Sequence, residues 1–433
     1  MTRRLLLAVL LCGGSARAED GAESWALHGQ FTGVVQYHPD FRSPYSGANS
    51  LDSGSEVKET TDLSLFLGVR LWQGGEAWIN PELDQGFGLS DTLGVAGFPS
   101  GEAYKVGKNA PYVRLPRAFF RQVIDLGGEP QAVERGALQL GGTQSADRVT
   151  FTAGKFSAVD VFDSNRYAHD PRSDFFNWSV IDAGPFDYAA DAWGYTYGIA
   201  VDWTQSWWSV RAGAFDMSKE PNGKQLDKSF SEVAFIAELE ERHQLLGHPG
   251  ALRLLGFVNR ARMAEYQDAV DLAAQTGGTP ELAPVRRRRS RAGIALNLEQ
   301  ELAPDLGVFL RAGINDGSKE AYEFTEINQS VSAGLALEGA RWGRPDDTFG
   351  LAGVVNGLSS DARHYFAAGG LGILIGDGAL PHYRSEMILE TYYALRLTRH
   401  LALGLDYQLV VDPAYNRDRG PVSIFGLRMH VED

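Results

Sequence analysis

The residues best suited to chemistry lie in one polar and aromatic stretch, from Asp160 to Gly194. The stretch mixes carboxylates, guanidinium groups, a histidine and aromatic rings. Two carboxylates such as Asp163 and Asp170 could act as the acid–base pair of a glycoside hydrolase. The same residues also suit a site in which charged groups hydrogen-bond a polar solute without reaction. Because the sequence contains no GxSxG, HExxH or P-loop motif, we favour the second interpretation and expect no catalytic residue, no metal site and no cofactor.

Two segments with strand-like alternation flank this stretch, at 147–156 and 193–203. A connection as long as 157–192 within a compact domain is either functional or disordered. The aromatic residues argue against disorder, because disordered segments are poor in them. We therefore expect 157–192 to fold inward and to narrow a passage.

The amino-terminal residues 1–18 are patterned as a cleavable secretory signal, with Arg3 and Arg4, an apolar run at 5–11 and an A-x-A motif before Glu19. The only cysteine, Cys12, falls within this segment, so the exported chain has no disulfide. Loss of the three arginines of the segment makes the formal net charge of −15 more negative still. Nucleic acid is excluded as a partner, because phosphate backbones bind to basic surfaces.

Short alternating segments cover nearly all of the remaining chain. No later run has the eighteen or so apolar residues of a membrane helix, and the mean hydropathy is −0.22. Apolar residues instead recur at every second position, with small or polar residues between them, which is typical of a membrane β-barrel. The predicted fold is all-β, a transmembrane antiparallel barrel of about sixteen strands. The predicted strands are 25–37, 60–71, 76–86, 112–125, 147–156, 193–203, 206–216, 231–240, 250–260, 290–300, 307–316, 328–338, 347–357, 382–396, 400–410 and 420–430.

The predicted connections alternate in length along the chain. Those on one side are mostly short, and those on the other are mostly long, as expected for periplasmic turns and extracellular loops. Two links on the short side, 126–146 and 241–249, are longer than this rule prefers. We expect residues 19–433 to form a single barrel domain, with 157–192 as its constriction loop.

Short segments rich in glycine, aromatic residues and paired charges follow one another in a fixed order. They are WINPE at 78–82, GFGLS at 86–90, GVAGF at 94–98, DVFDSNRYAHDPR at 160–172, DYAAD at 187–191, GY at 194–195, AAGGLG at 367–372, GDG at 376–378, ETYY at 390–393, DYQ at 406–408 and DPAYNRDRGP at 412–421. As a set, they resemble the carbohydrate-selective porins of the OprB type. The resemblance implies a sixteen-stranded outer-membrane barrel of a Gram-negative bacterium, in which inward-folded loops form the constriction. The ending MHVED, without a terminal aromatic residue, and the segments 126–146 and 261–289 depart from the family.

A sugar pore needs aromatic faces for the C–H face of the ring, and carboxylates and guanidinium groups for its hydroxyls. Candidate constriction residues from the polar stretch are Asp160, Asp163, Asn165, Arg166, His169, Asp170, Arg172, Asp174, Trp178, Asp187 and Tyr188. Many of them could instead pin the loop to the wall through ion pairs and Asx turns. From neighbouring strands we add Glu82 and Arg117, although Pro81 and Pro116 leave their facing open.

Strand alternation supplies a second set of candidates. An arginine on the lipid face costs roughly 2–4 kcal/mol at mid-bilayer, so charged strand residues are assigned to the lumen. The pore-lining candidates are Arg70, Asp202, Arg211, Arg311, Glu390, Arg396, Asp406 and Arg428, with Arg287, Arg289 and Arg291. The last three either line the pore mouth as a basic ladder or remain solvated at the rim, where lipopolysaccharide would contact them.

The leading interpretation is an outer-membrane porin that lets mono- or oligosaccharides diffuse passively into the periplasm. A general or anion-preferring diffusion porin is the alternative with the same architecture. A secreted β-rich polysaccharide-binding protein or hydrolase is the alternative from another class. Outer-membrane lipid and lipopolysaccharide are the expected surroundings, and the sequence leaves open a monomer or a homotrimer, and Ca²⁺ binding in outer loops around 412–418.

Overall fold

Sixteen antiparallel strands close into a barrel in this computed structural model, which describes residues 14–17 and 22–433. Each strand pairs with the next one along the chain, and the last pairs with Glu23–His38, where Phe425 lies opposite Tyr37. A further short strand, Gly14–Arg17, pairs with the start of Glu23–His38. The rest of the predicted secretory segment lies outside the described residues.

The strands are as follows in chain order: β1 (Gly14–Arg17), β2 (Glu23–His38), β3 (Glu56–Trp72), β4 (Gly75–Gly86), β5 (Lys108–Val133), β6 (Gly142–Phe156), β7 (Thr196–Thr204), β8 (Trp208–Asp216), β9 (Val233–Leu245), β10 (His248–Met263), β11 (Arg287–Ala303), β12 (Leu306–Asn315), β13 (Gln329–Gly339), β14 (Arg344–Gly357), β15 (Glu386–Thr398), β16 (Leu401–Val411) and β17 (Val422–Glu432). Each of the sixteen predicted strands corresponds to one of β2–β17.

The two links that were predicted to be long on the short side are in fact shorter. Residues 126–133 continue β5, and β6 already begins at Gly142, so only 134–141 connect them. The alternation pattern did not predict this extension of β5, because the strand contains register shifts near Gly127 and Pro130. Strand β9 likewise continues to Leu245, and β10 begins at His248.

The two faces of the barrel differ as the alternation predicts. On β3, Leu65 and Leu67 point outward and are 43% and 41% exposed, whereas Ser64 of the same strand points inward and is fully buried. An apolar outer face is the surface that lipid covers. None of the helices among the described residues is long and apolar enough to cross a membrane.

The long links carry the helices. These are α1 (Trp178–Ile181), α2 (Tyr266–Thr276) and α3 (Ser360–Ala367), and the last two pack through the rings of Tyr266 and Tyr365, whose centroids are 5.0 Å apart. Single 3-10 turns occur at Leu89–Asp91, Ala158–Asp160, Ala283–Val285, Ala340–Trp342 and Pro413–Tyr415. The buried hydrophobic cluster therefore combines loop side chains with inward-facing strand residues. We call the end of the barrel with the short links the turn end, and the opposite end the loop end.

Candidate functional site

The link between β6 and β7, residues 157–195, which we call the inward loop, lies inside the barrel against one part of the wall. It starts with a capping box, in which Ser157 N donates to the Asp160 carboxylate, so the loop turns at once. The Arg311 Nε donates to Asp163 Oδ1 at 3.2 Å, and both side chains are buried. The Asn165 amide donates to Asn297 Oδ1 at 2.7 Å. These contacts attach the first half of the loop to β11 and β12.

The second half of the loop is attached to the wall in the same way. Arg428 of β17 donates to three backbone carbonyls, those of residues 171, 173 and 174, at 2.6–2.9 Å. Glu390 of β15 accepts from the backbone of residues 176 and 177, where α1 begins. Asp187 pairs with Arg291 and accepts from Tyr322 N at 2.8 Å. Lumen-facing charges on β11–β17 thus hold the loop rather than face open space.

The opposite side of the inward loop faces an open cavity. Asp160 accepts two hydrogen bonds from Arg117 of β5, from Nη2 at 2.7 Å and from Nε at 2.8 Å. The Arg172 guanidinium lies 3.5 Å from Asp62 Oδ2 and 3.6 Å from Glu102 Oε1. These ion pairs bridge the loop to the wall on its free side.

A cavity of about 760 Å³ lies along this side. Charged groups from five parts of the chain border it, namely β5, the inward loop and the links 87–107, 134–141 and 316–328. They include Glu102, Arg117, Asp160, His169, Asp170, Arg172 and Asp182. Aromatic rings of Trp178, Tyr188, Trp193 and Tyr195 border it as well. The cavity therefore offers both donors and acceptors beside apolar surface.

Trp178 is enclosed between two other rings. Its ring stacks on Phe98 at 5.2 Å and on Phe324 at 5.4 Å, with interplanar angles of 19° and 27°. Both faces of the indole are thereby covered, so only its edge is turned to the cavity. Trp193 is less buried, and its Nε1 donates to Tyr112 Oη at 3.0 Å. Of the two tryptophans, Trp193 keeps more surface for a ligand.

Burial changes the ionisation of the carboxyl groups around the cavity. Burial raises the pKa of Glu102 to about 8, although Arg172 lowers it. Burial likewise raises the pKa of Asp182 to about 6, against the effect of His169, whose Nδ1 is 4.0 Å away. For Asp160, burial favours the neutral acid, but the pairing with Arg117 outweighs it and lowers the pKa. Of these three groups, Asp160 is therefore held as the ionised carboxylate, whereas the pKa values of Glu102 and Asp182 lie near neutral pH.

The remaining candidates from the inward loop do not border this cavity. Asp163, Asn165 and Asp187 anchor the loop, and Asp174 accepts from His169 N at 3.0 Å in a turn of the loop itself. Arg166 lies toward the turn end and pairs with Glu301 at 3.2 Å. Glu82 is buried in the wall beside Arg114.

The strand candidates all lie on the lumen face, yet most are paired. Arg211 contacts Asp202 at 2.9 Å and Glu238 at 2.6 Å. Arg396 pairs with Glu432 at 2.9 Å. Asp406 lies under the inward loop beside Gln408, and Arg70 donates only to backbone carbonyls.

The arginines at the start of β11 reach two different parts of the molecule. Arg287 and Arg289 pair with Asp268 of α2, at 3.2 and 2.5 Å, while Arg291 is buried against Asp187. The run therefore divides between the outer helix and the inward loop, and the three side chains do not form one exposed ladder.

Several residues of the cavity wall were missing from the sequence-based candidates, among them Glu102, Asp182, Trp193 and Tyr195. Glu102 lies in the link 87–107. The glycine-rich segments of this link resemble the family, but they do not indicate that the Glu102 side chain borders a cavity. Asp182 follows α1 within the polar stretch and could have been included on its residue type alone. Among the described residues, no group of three or more acidic, histidine or cysteine side chains is arranged to hold a metal ion.

Comparison with solved structures supports the barrel. A structure of Pseudomonas putida OprB at high pH superposes with a TM-score of 0.71 at 16% identity, covering 95% of this chain and 94% of that chain. The outer-membrane channel DcaP of Acinetobacter baumannii gives 0.55 at 11% identity, covering 97% and 100%. At these identities, the likeness concerns the fold. No curated protein matches the chain.

The comparison with protein families identifies the chain more closely than the superpositions do. The model of the carbohydrate-selective porins, OprB family, matches residues 48–432, which is nearly the whole barrel. The chain therefore belongs to the OprB family, whose members are porins of the Gram-negative outer membrane that let carbohydrates diffuse through selectively.

Proposed function

We propose that the cavity beside the inward loop is the sugar-selective constriction of this porin. Its charged groups include the opposed pair of Arg117 and Asp160, and the Arg172 guanidinium lies 3.6 Å from the Glu102 carboxyl group. A sugar hydroxyl both donates and accepts, so neighbouring hydroxyls can bond to a carboxylate and a guanidinium together. An ion of either sign gains less at the Arg117–Asp160 pair, because each of these two charges already has a partner.

The observation that carries this proposal is the position of the Arg117–Asp160 pair. The pair joins the barrel wall to the free side of the loop and borders the cavity, whereas the buried Arg311–Asp163 pair does not. Asp160 retains 24% exposure of its side chain and Arg117 retains 11%. Partly exposed, paired charges allow weak binding, and weak binding is what conduction requires.

Trp193 completes the constriction by offering a ring to the apolar face of a pyranose. His169 and Asp170, with side chains 30% and 49% exposed, add hydrogen-bonding groups from the loop. Residues 163, 165, 166, 174 and 187 serve as anchors of the loop rather than as sugar contacts.

The protein passes its solute without a reaction. Asp160 is held by Arg117, and Asp170 accepts from Arg172 N in a turn of the loop, so these two carboxylates are not arranged as the nucleophile and the acid of a glycoside hydrolase. The mature chain, 19–433, acts as one barrel with 157–192 as its constriction loop, and lipid covers its outer face.

Planar-bilayer recordings with neutral sugars test the proposal. We expect stepwise or graded block of the ion current by mono- or disaccharides, weakened in an Asp160→Asn variant that still forms channels. Channels that conduct ions but respond to no sugar would contradict the proposed constriction.

A further inference from the structure

The link between β5 and β6, residues 134–141, folds into the barrel from the turn end, and we call it the inner link. Its Leu140 is 3% exposed and belongs to the buried cluster that includes loop residues, and Leu138 packs against the same cluster. A periplasmic turn of a barrel is ordinarily short and lies outside the lumen. This one follows the unusually long strand β5 and returns inward.

Polar contacts on both sides hold the inner link in place. Arg121 of β5 donates to Leu138 O at 2.9 Å and to Glu76 at 2.8 Å. On the other side, Gly141 N donates to Glu23 Oε2 at 2.7 Å, and Glu23 N donates to Gly141 O at 3.0 Å. Arg70 donates to Gly141 O at 3.3 Å. The backbone of the link is therefore fixed at two points.

The inner link separates two spaces. Above it lies the cavity of about 760 Å³ beside the inward loop, and below it lies a wider vestibule of about 1290 Å³ at the turn end. The side chains of Arg121, Glu134, Arg135 and Gln139 border both spaces. A solute that moves from the first space into the second passes these groups.

Among the described residues, two of these four side chains have no polar partner. Within the part of the chain that the structure describes, the Glu134 carboxylate and the Arg135 guanidinium form no hydrogen bond or ion pair, and both residues are exposed. The anchoring groups Arg121 and Glu76 pair with each other. The passage thus presents one free carboxylate and one free guanidinium on consecutive residues of the link, and their two charges cancel.

We propose that the inner link forms a second sugar-binding constriction near the periplasmic exit, in series with the first. Glu134 accepts and Arg135 donates hydrogen bonds to neighbouring hydroxyls of a neutral sugar. The two opposite charges favour a neutral polyol over an ion. The proposal rests on the proposed function of the first constriction, and it predicts that sugar binding depends on the side of addition.

The test uses the complete barrel in planar bilayers, with glucose or maltose added to one chamber at a time. For the double variant Glu134→Gln/Arg135→Gln, we expect block from the turn end to need about threefold or more sugar, the loss of roughly one ordinary hydrogen bond. Block from the loop end, which Arg117 and Asp160 control, should change less. The matched control is Glu129→Gln, a carboxylate on β5 that borders neither space.

A unique cysteine gives a second measurement. The chain has one cysteine, Cys12, so Arg135→Cys in a Cys12→Ser background carries a single thiol. A charged methanethiosulfonate reagent added at the turn end should reduce the current, and sugar should slow that reaction.

Three outcomes would overturn the second constriction. They are unchanged sugar block in the double variant, modification of the cysteine without a change in current, and modification at the same rate with and without sugar. Wild-type channels that no sugar blocks from either side would overturn the first constriction together with the second. Loop-end block that persists while turn-end block is unaffected by the variant would overturn the second alone.

Discussion

Arg117 and Asp160 form a two-point ion pair between the barrel wall and the free side of the inward loop, with N–O distances of 2.7 and 2.8 Å. The two residues are 43 positions apart in the chain. Apart from the longer contacts of Arg172 with Asp62 and Glu102, the attachments of the loop that were described above lie on its opposite, buried side. In the proposed constriction, this pair both limits the width of the passage and presents charges to a solute.

Arg117→Ala should enlarge the passage and weaken sugar binding. Removal of the guanidinium frees Asp160 and deletes a charged donor, and a lost charge-assisted hydrogen bond is worth roughly 1.5–3 kcal/mol, or about tenfold or more in affinity. Single-channel conductance should rise, and the sugar concentration for half-block should increase. The folded barrel should survive, because the loop keeps its other anchors.

The matched control for this variant is Arg341→Ala. Arg341 forms a similar two-point pair with Asp305 at the turn end, at 2.5 and 3.0 Å, but borders neither cavity. Its removal should leave conductance and sugar block unchanged. Equal effects of both variants would mean that Arg117 acts only through general stability.

Asp163→Ala should destabilise the barrel, and it should not remove a contact to the sugar. The substitution leaves Arg311, which is 1% exposed, without its carboxylate, and breaking a buried pair in this way costs about 3–5 kcal/mol. Thermal unfolding in detergent, followed by the heat-dependent gel mobility of the barrel, measures the loss. A variant as stable as wild type, with altered sugar block, would place Asp163 among the solute contacts instead.

Ion selectivity should depend on pH between about 5 and 9. The pKa of Asp182 is raised to about 6 and that of Glu102 to about 8, so each group is neutral below its value and negative above it. Reversal potentials in a salt gradient should shift toward cation preference as the pH rises. Because the folded state retains these protons where an unfolded chain has lost them, the same shifts lower stability as the pH rises.

Single substitutions separate the two steps of this titration. Asp182→Asn should remove the step near pH 6 and keep the one near pH 8, and Glu102→Gln should do the reverse. A reversal potential that is independent of pH in the wild type would show that neither carboxyl group faces the conducting path.

Trp178→Ala and Trp193→Ala should have different effects. Trp178 is held between Phe98 and Phe324, so its truncation should cost about 3–5 kcal/mol of stability and make the current noisy as the loop loosens. Trp193→Ala should mainly raise the sugar concentration for half-block, because that ring is less buried. Thermal unfolding and current recordings on both variants distinguish the two effects.

The alternation of side chains was enough to predict the sixteen strands and the face on which each charged strand residue lies. This information is local, because successive residues of a strand point to opposite faces and an inward arginine avoids the cost of lipid contact. The composition of 160–194 likewise identified the loop that enters the lumen. The sequence thus determined the wall of the barrel and most of the groups on its inner face.

Only the tertiary structure decided which of those groups face open space. Arg311 and Asp163 are 148 positions apart, and both were candidates for solute contact until their burial against each other was known. The stacking of Trp178 and the inward return of the inner link also depend on loop paths, which no strand periodicity encodes. The charged side chains of a loop inside a barrel can contact the wall or face the passage. Which of the two occurs depends on contacts between residues that are distant in the chain.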